Sequence, residues 1–103
     1  MNKLERPLSE LKFLTEFADW CRTKGDEEYD YESNGYCAIA QFLKASGRAL
    51  DPGVGGNRYY DWSRFEEGEQ SVPSGTDDAA HAMPRTFSAL ANRIDNLISA
   101  RVS

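Results

Sequence analysis

The middle of the chain contains the stretch Tyr29-Asp-Tyr-Glu-Ser-Asn-Gly-Tyr-Cys-Ala-Ile-Ala-Gln-Phe-Leu43. It passes from an acidic segment with tyrosines into a helix start, and then into the most compact apolar segment of the central region. Asn34 is the predicted N-cap of this helix, because its side chain accepts hydrogen bonds from the unpaired N–H groups of a first turn. Gly47 is the predicted residue after the helix, since glycine readily adopts the left-handed conformation that ends many helices.

This central helix is predicted to have two different faces. One face is apolar and carries Tyr36, Ile39, Ala40 and Leu43, with Phe42 at its edge. Another face carries Cys37, Gln41 and Lys44 at i, i+4 and i+7 spacing. The apolar face predicts packing against the rest of the domain.

Two longer amphipathic helices are predicted around this centre, from Pro7 to about Thr23 and from Pro84 to about Val102. Pro7 suits a first turn, where its missing N–H costs nothing, and Gly25 is the predicted stop of the first helix. The apolar residues of the first helix form an arc wide enough to pack against two neighbours. They are Leu11, Phe13, Leu14, Phe17, Ala18, Trp20 and Cys21. The last helix has a narrower apolar stripe, which consists of Phe87, Leu90, Ala91, Ile94, Leu97 and Ile98.

The region between the second and last helices is predicted to be mostly irregular. Residues 48–56 are rich in glycine and are predicted to form a loop. Residues 57–62 and 70–73 are two candidate strands of a small hairpin, and residues 77–82 are a candidate helical turn before the last helix. The predicted fold is therefore mainly α: a compact three-helix domain with a small irregular or β-hairpin element between helices 2 and 3, in a single domain over residues 1–103.

The chain has a net charge of −5, and its acidic residues are concentrated in two segments, each of which also has a net charge of −5. Residues 26–32 hold five carboxylates and no base, and residues 61–78 hold six carboxylates against Arg64. The remaining residues hold eleven bases and six acids, so they are net basic. This distribution argues against a broad basic surface for nucleic acid and favours a protein partner with a basic surface.

The two acidic segments and their tyrosines are the predicted partner-binding residues. Rigid tyrosines flanked by carboxylates suit contact with a basic protein surface. The alternative is a pair of solvated loops whose tyrosines cover the core. The candidate residues are Asp26, Glu27, Glu28, Tyr29, Asp30, Tyr31, Glu32, Tyr59, Tyr60, Asp61, Glu66, Glu67 and Glu69.

Cys37 near a helix start is the one feature typical of catalysis, because a helix N-terminus favours a thiolate. His81 could act as its base in a cysteine hydrolase. No convincing strand precedes His81 to carry it towards Cys37, so a small buried cysteine is the preferred interpretation and no catalytic residue is predicted.

Other chemical classes lack their motifs. Two Cys and one His have no zinc spacing, the carboxylates of residues 26–32 do not follow a calcium loop, and residues 53–56 lack the Lys-Ser/Thr of a phosphate loop. We therefore expect no metal and no cofactor. No apolar run approaches the roughly 18 residues of a membrane span, and the first residues do not resemble a signal peptide. A cytoplasmic protein with reduced thiols is expected.

The chain resembles a group of small uncharacterised proteins from proteobacteria and their phages. The resemblance rests on four short motifs, Tyr29-Asp30-Tyr31, Cys37-Ala-Ile-Ala-Gln41-Phe-Leu43, Val54-Gly-Gly56 and Thr86-Phe87-Ser-Ala-Leu90-Ala91. It implies a product of a phage or mobile element, and such proteins often inhibit host machinery, as anti-CRISPR proteins do. The preferred hypothesis is thus a non-enzymatic inhibitor of a host protein complex in the bacterial cytoplasm. The alternative is a small regulatory or accessory homo-oligomer, whose first helix would form a dimer seam.

Overall fold

The computed structural model describes residues 5–29 and 37–102, with the side chains of all of these except 5–8 and 65–67. The described chain contains four α-helices and three β-strands. In chain order they are α1 (Glu5–Lys24), α2 (Ala38–Ala45), β1 (Pro52–Gly55), β2 (Arg58–Asp61), a 3-10 segment (Trp62–Glu67), β3 (Gln70–Ser71), α3 (Thr76–His81) and α4 (Phe87–Val102). The expectation of a mainly α protein with a small β element is confirmed, but the arrangement has one helix and one strand more than predicted.

Helices α1 and α4 lie side by side and run in opposite directions. Ion pairs mark the alignment: Arg22 of α1 bonds Asp95 of α4, and Arg101 near the end of α4 lies 3.6 Å from Glu10 near the start of α1. The predicted apolar faces meet between them, where the side chains of Leu14, Phe17, Leu90, Ala91 and Ile94 are buried. The 3.6-residue periodicity therefore located both long helices and their inner faces.

Aromatic rings connect α1 to α2 and α4. The ring of Phe17 stacks on Phe42 of α2 with centroids 4.9 Å apart, and the ring of Phe13 meets Phe42 edge-on at 5.3 Å. Trp20 contacts Phe87 of α4 edge-on, also at 5.3 Å. Stacked and edge-to-face rings add about 0.5–1.5 kcal/mol per pair beyond the area that they bury, so this cluster ties the three helices together.

Helix α2 begins at Ala38, and its N-cap is Cys37 instead of the predicted Asn34. The Cys37 sulfur accepts a hydrogen bond from the Ala40 N–H at 3.5 Å, which is the bond that a capping side chain makes. Asn34 and Tyr36 lie outside the described residues. At the other end Gly47 has a φ of +77°, as predicted for the residue that follows a helix.

The three strands form an antiparallel sheet in the order β1-β2-β3. Val54 of β1 pairs with Tyr59, and Arg58 of β2 pairs with Ser71 of β3. The pairing of the two predicted segments is confirmed, but the prediction of a loop over residues 48–56 is wrong for Pro52–Gly55. Gly56 has a φ of +62° at the first position of the two-residue turn, a conformation that glycine adopts without strain.

Helix α3 makes the fold a four-helix arrangement and occupies the segment predicted as a helical turn. Ala79 and Ala80 of α3 join the buried cluster, which also contains Val54 of β1 and Val72 beside β3. The radius of gyration is 13.1 Å, close to the ~13 Å typical of a compact domain of about 100 residues. No helix in the described ranges is long and apolar enough to cross a membrane.

Candidate functional site

The first acidic segment is held against the start of α4 through its backbone. Glu28 pairs with Thr86 in an antiparallel bridge, the Phe87 N–H donates to the Glu27 carbonyl at 2.9 Å, and the Ser88 N–H donates to the Gly25 carbonyl at 2.8 Å. These bonds satisfy N–H groups that the first turn of α4 leaves unpaired. The first turn of α4 has no acidic residue of its own, so the exposed carboxylates of residues 26–28 provide negative charge at its positive end.

Tyr29 lies in the core, which corrects its assignment to a partner-binding surface. Its hydroxyl donates to the Ala80 carbonyl at 2.6 Å and accepts from the Arg93 guanidinium at 3.1 Å. Its ring packs against Phe87 with centroids 5.3 Å apart. Burial raises the pKa of the Tyr29 phenol, so the hydroxyl stays protonated and joins α3 to α4. Asp30, Tyr31 and Glu32 lie outside the described residues.

Asp61 is also buried and has a structural role instead of a partner-binding one. Its carboxylate accepts hydrogen bonds from the Leu50 N–H at 3.0 Å, the Asp51 N–H at 3.1 Å, and both the N–H and the hydroxyl of Ser63. The hydroxyl of Ser63 and these N–H groups lower the pKa of Asp61 from 3.8 to about 2. The ionised carboxylate therefore closes the loop that leads into β1.

Tyr59 and Tyr60 point to opposite faces of β2, as successive residues of a strand must. Tyr59 packs against the core, and its burial raises the pKa of the phenol. Tyr60 lies on the outer face, where its hydroxyl donates to the Glu69 carboxylate at 3.0 Å. The Arg58 guanidinium donates to the other oxygen of Glu69 at 2.8 Å, and together these bonds lower the pKa of Glu69.

The outer face of the sheet carries an aromatic platform that consists of Tyr60 and Trp62. The two rings stack with centroids 5.2 Å apart and an interplanar angle of 13°. The indole of Trp62 also lies directly on the backbone of Gly53, where an added Cβ would be 2.4 Å from Nε1. Trp62 nevertheless remains 55% exposed. The platform is thus a large apolar surface that is fixed from two sides and open to solvent.

Glu66 and Glu67 lie in the 3-10 segment that follows Trp62, but their side chains are outside the described part of the structure. Of the predicted partner-binding residues, the structure places Tyr60 and Glu69 together on the outer face of the sheet, and it places Asp26, Glu27 and Glu28 at the start of α4. Trp62 was not among the predicted residues. Its i, i+2 spacing from Tyr60 on a strand is the signal that could have identified it.

A second candidate site lies around Cys37, on the other side of β1. A cavity of about 90 Å³ is bounded by Cys37, by Ile39 of α2, by residues 54–56 and by Asp77, Ala80 and His81 of α3. The Nδ1 atom of His81 lies 3.3 Å from a carboxylate oxygen of Asp77. The sequence analysis paired Cys37 with His81 but found no strand to carry His81 towards Cys37. His81 lies instead on α3, in the segment predicted as a helical turn, and lines the same cavity as Cys37.

The electrostatic environment keeps Cys37 protonated in the resting protein. Burial raises the pKa of its thiol, and the negative charge of Asp77 acts in the same direction. Cys21, the other free thiol, is fully buried in the core, and burial raises its pKa to about 12. Among residues 5–29 and 37–102, no three His, Cys, Asp or Glu side chains form a group that could hold a metal ion.

Comparison with protein-family models, with curated proteins and with solved structures found no match to this chain. The aromatic platform and the Cys37 cavity are the features of the fold that bear on function.

Proposed function

We propose that this protein is a binding protein that uses the aromatic platform to dock on a basic surface of a protein partner and block it. The observation that carries the proposal is the exposure of Trp62, 55% of which faces solvent although the ring is held between Tyr60 and Gly53. Tryptophan and tyrosine are the residues most enriched among the few that dominate binding energy at protein interfaces.

The rigidity of the platform favours tight binding. Association normally costs about 0.5–1.5 kcal/mol for each flexible side chain that becomes ordered. The Trp62 ring is already confined in the free protein, since it stacks on Tyr60 and rests on the Gly53 backbone. Most of that cost therefore falls on the folding of this chain and not on the binding step.

Charge supports a basic partner. The chain carries a net charge of −5. Asp51 is exposed and lies next to the platform, where its backbone carbonyl accepts a hydrogen bond from the backbone N–H of Trp62 at 2.9 Å. Glu69 also lies at the rim, where its charge is balanced by Arg58, the more exposed side chain of the pair. Charges at the rim of an interface mainly accelerate association and select the sign of the partner, so binding should weaken as salt rises.

In its more specific form, the proposal is that the partner is a nucleic-acid-binding complex of a host, such as a defence complex that an anti-CRISPR protein inhibits. The support for this form is the sequence resemblance to small phage and proteobacterial proteins, together with the acidic charge. A protein partner that binds nucleic acid would present the basic surface that the proposal requires.

The test is affinity capture from a bacterial lysate at low and moderate salt, with the bound proteins identified by mass spectrometry. Wild-type protein is compared with Trp62→Ala and with Met83→Ala, a control that truncates another exposed apolar side chain. Loss of a central hot-spot residue costs at least about 2 kcal/mol, so Trp62→Ala should weaken capture of a specific partner by roughly 30-fold. Equal capture by Trp62→Ala and Met83→Ala would remove the platform from the proposal.

The homo-oligomer remains a second prediction with less support than the sequence suggested. The apolar arc of α1 was its basis, and Phe13, Leu14, Phe17 and Ala18 of that arc are already buried within one chain. Light scattering over a dilution series distinguishes the cases, because a dimer would lose mass on dilution and a monomer would not.

A further inference from the structure

We propose that a cavity beside the inner face of the sheet binds the carboxylate group of a small organic acid, and that Arg48 and Arg64 are the cations that hold it. The cavity has a volume of about 160 Å³. The residues that line it are Arg48, Tyr59, Asp61, Arg64, Gly68 and Gln70. This site goes beyond the proposed binding function and does not depend on it.

The register of the sheet places three of the lining side chains on one face. Tyr59 of β2 pairs with Gln70 of β3, so both side chains leave the same face of the sheet. Asp61 follows Tyr59 by two residues on the same strand and therefore faces the same side. Tyr60 lies between them and points to the other face, towards Trp62. The cavity and the aromatic platform thus use opposite faces of β2.

Arg48 is a cation that the fold has already oriented. Its guanidinium carbon lies 5.1 Å from the ring centre of Phe13 and 5.2 Å from that of Phe42. Its Nη1 atom donates to the Glu16 carboxylate at 3.3 Å, whereas Nε and Nη2 have no partner among the described residues. A planar guanidinium that is fixed in this way loses little freedom when its remaining N–H groups bind a carboxylate.

Arg64 is a second cation, and the fold does not use it. Its side chain is exposed and has no ion pair or hydrogen bond with any residue that the structure describes. The other arginines with described side chains all bond within the chain: Arg22, Arg48, Arg58, Arg85, Arg93 and Arg101. A guanidinium with free donors at the wall of a cavity, next to a second guanidinium, points to a ligand of negative charge.

The charges of the wall favour a carboxylate over a phosphate. Asp61 is ionised, because its hydrogen bonds lower its pKa to about 2, and both of its oxygens already accept N–H groups. Two guanidiniums and one carboxylate leave one net positive charge, and Glu16 beside Arg48 reduces it further. A single carboxylate matches this balance, whereas a phosphate group carries a charge of about −1.5 to −2 near pH 7.

The remaining donors and the volume restrict the ligand further. The hydroxyl of Tyr59 and the amide of Gln70 add neutral donors beside the two guanidiniums. The volume of about 160 Å³ corresponds to roughly five water molecules, which leaves room for an acid of about three or four carbon atoms. The ring of Tyr59 packs against the core and offers an apolar surface to a short alkyl chain. Propionate has the required size and charge.

The test is an NMR titration of the full chain, labelled with ¹⁵N, with propionate at constant ionic strength. We expect saturable shifts of the Gly68 and Gln70 amides and of the side-chain N–H groups of Arg48 and Arg64. A dissociation constant on the order of 1 mM is expected for a ligand with so few atoms. Propionamide, the neutral analogue, should cause no saturable shift, and inorganic phosphate should bind more weakly than propionate. Tighter binding of phosphate, or no saturable shift at these residues, would overturn the proposal.

Variants of Arg64 separate a specific site from a general effect of charge. A hydrogen bond to a charged group changes affinity by roughly tenfold or more, so Arg64→Gln should raise Kd by at least about 10-fold. Arg64→Lys keeps the charge but loses the planar fork, and it should lie between Arg64→Gln and wild type. The matched control is Lys44→Gln, which removes an exposed cation that does not line the cavity. Thermal unfolding should be the same for all these variants, because neither side chain bonds a described residue. If Arg64→Gln and Lys44→Gln weaken propionate binding equally, the proposal fails.

Discussion

The hydroxyl of Tyr29 offers the sharpest test of the fold, because the same residue was predicted to face a partner. In the structure this hydroxyl joins three elements. It donates to the Ala80 carbonyl of α3 at 2.6 Å and accepts from the Arg93 guanidinium of α4 at 3.1 Å. Arg93 also donates to the carbonyls of Ala79 at 2.7 Å and Pro84 at 3.0 Å. The Tyr29 hydroxyl and the Arg93 guanidinium together anchor the segment that follows α1 to α3 and α4.

The substitution Tyr29→Phe removes only this oxygen and keeps the buried ring. A neutral hydrogen bond contributes about 1 kcal/mol and a bond to a charged group about 1.5–3 kcal/mol, so the two bonds together predict a loss of about 2.5–4 kcal/mol in the free energy of unfolding. For a domain of about 100 residues, 1 kcal/mol corresponds to a fall in Tm of roughly 4–5 °C. We therefore expect Tm to fall by about 10–20 °C.

The assay is thermal and urea unfolding followed by circular dichroism, with Tyr60→Phe as the matched control. Tyr60 also bonds through its hydroxyl, but its partner is the solvent-exposed carboxylate of Glu69. Tyr60→Phe should leave Tm almost unchanged. A double-mutant cycle with Arg93→Met should show a coupling of about 1.5 kcal/mol or more between Tyr29 and Arg93. If Tyr29→Phe were as stable as Tyr60→Phe, the placement of Tyr29 in the core would be wrong.

Two further predictions concern the sheet. Gly53→Ala places a Cβ 2.4 Å from the Trp62 indole, so it should displace that ring, increase the quenching of its fluorescence by acrylamide and weaken partner capture. Gly55→Ala, whose Cβ would have nothing within 4 Å, should have none of these effects. Unchanged quenching in Gly53→Ala would contradict the packing of Trp62. The lowered pKa of Asp61, about 2 in the folded protein against 3.8 ordinarily, gives stability that is present above pH ~4 and lost as the pH falls through 2. Unfolding measured between pH 2 and 5 should therefore show a steeper loss for wild type than for Asp61→Asn, and parallel curves would exclude this role.

The parts of the fold that sequence predicted well are those whose signal is local. The long helices α1 and α4 have an apolar residue every three or four positions. This period predicts a helix with one buried face, whichever element packs against that face. The glycine after α2 is equally local, because a positive φ depends on one residue. The cap of α2 was harder, since Asn34 is the better capping residue by type, yet Cys37 occupies the position.

The acidic segments show where composition fails. The sequence neighbours of Tyr29 are mostly charged, and Asp61 is itself a carboxylate within the second acidic segment, so both were predicted to lie on the surface. Tertiary contacts decided otherwise, because each has a partner distant in sequence that compensates for its burial: the Ala80 carbonyl for Tyr29 and the Leu50 N–H for Asp61. A buried polar group is stable only where such partners exist, and only the folded chain provides them.

By itself, the sequence determined the helical class, the inner faces of the long helices and the acidic balance that favours a basic partner. The tertiary structure alone decided that Pro52–Gly55 pairs as a strand, that Trp62 rests on Gly53, and that Cys37 and His81 meet at one cavity. The physical reason is the range of the interactions. Periodicity and backbone preference act within a few residues, whereas strand pairing, ring stacking and cavity formation depend on segments that only the packed chain brings together.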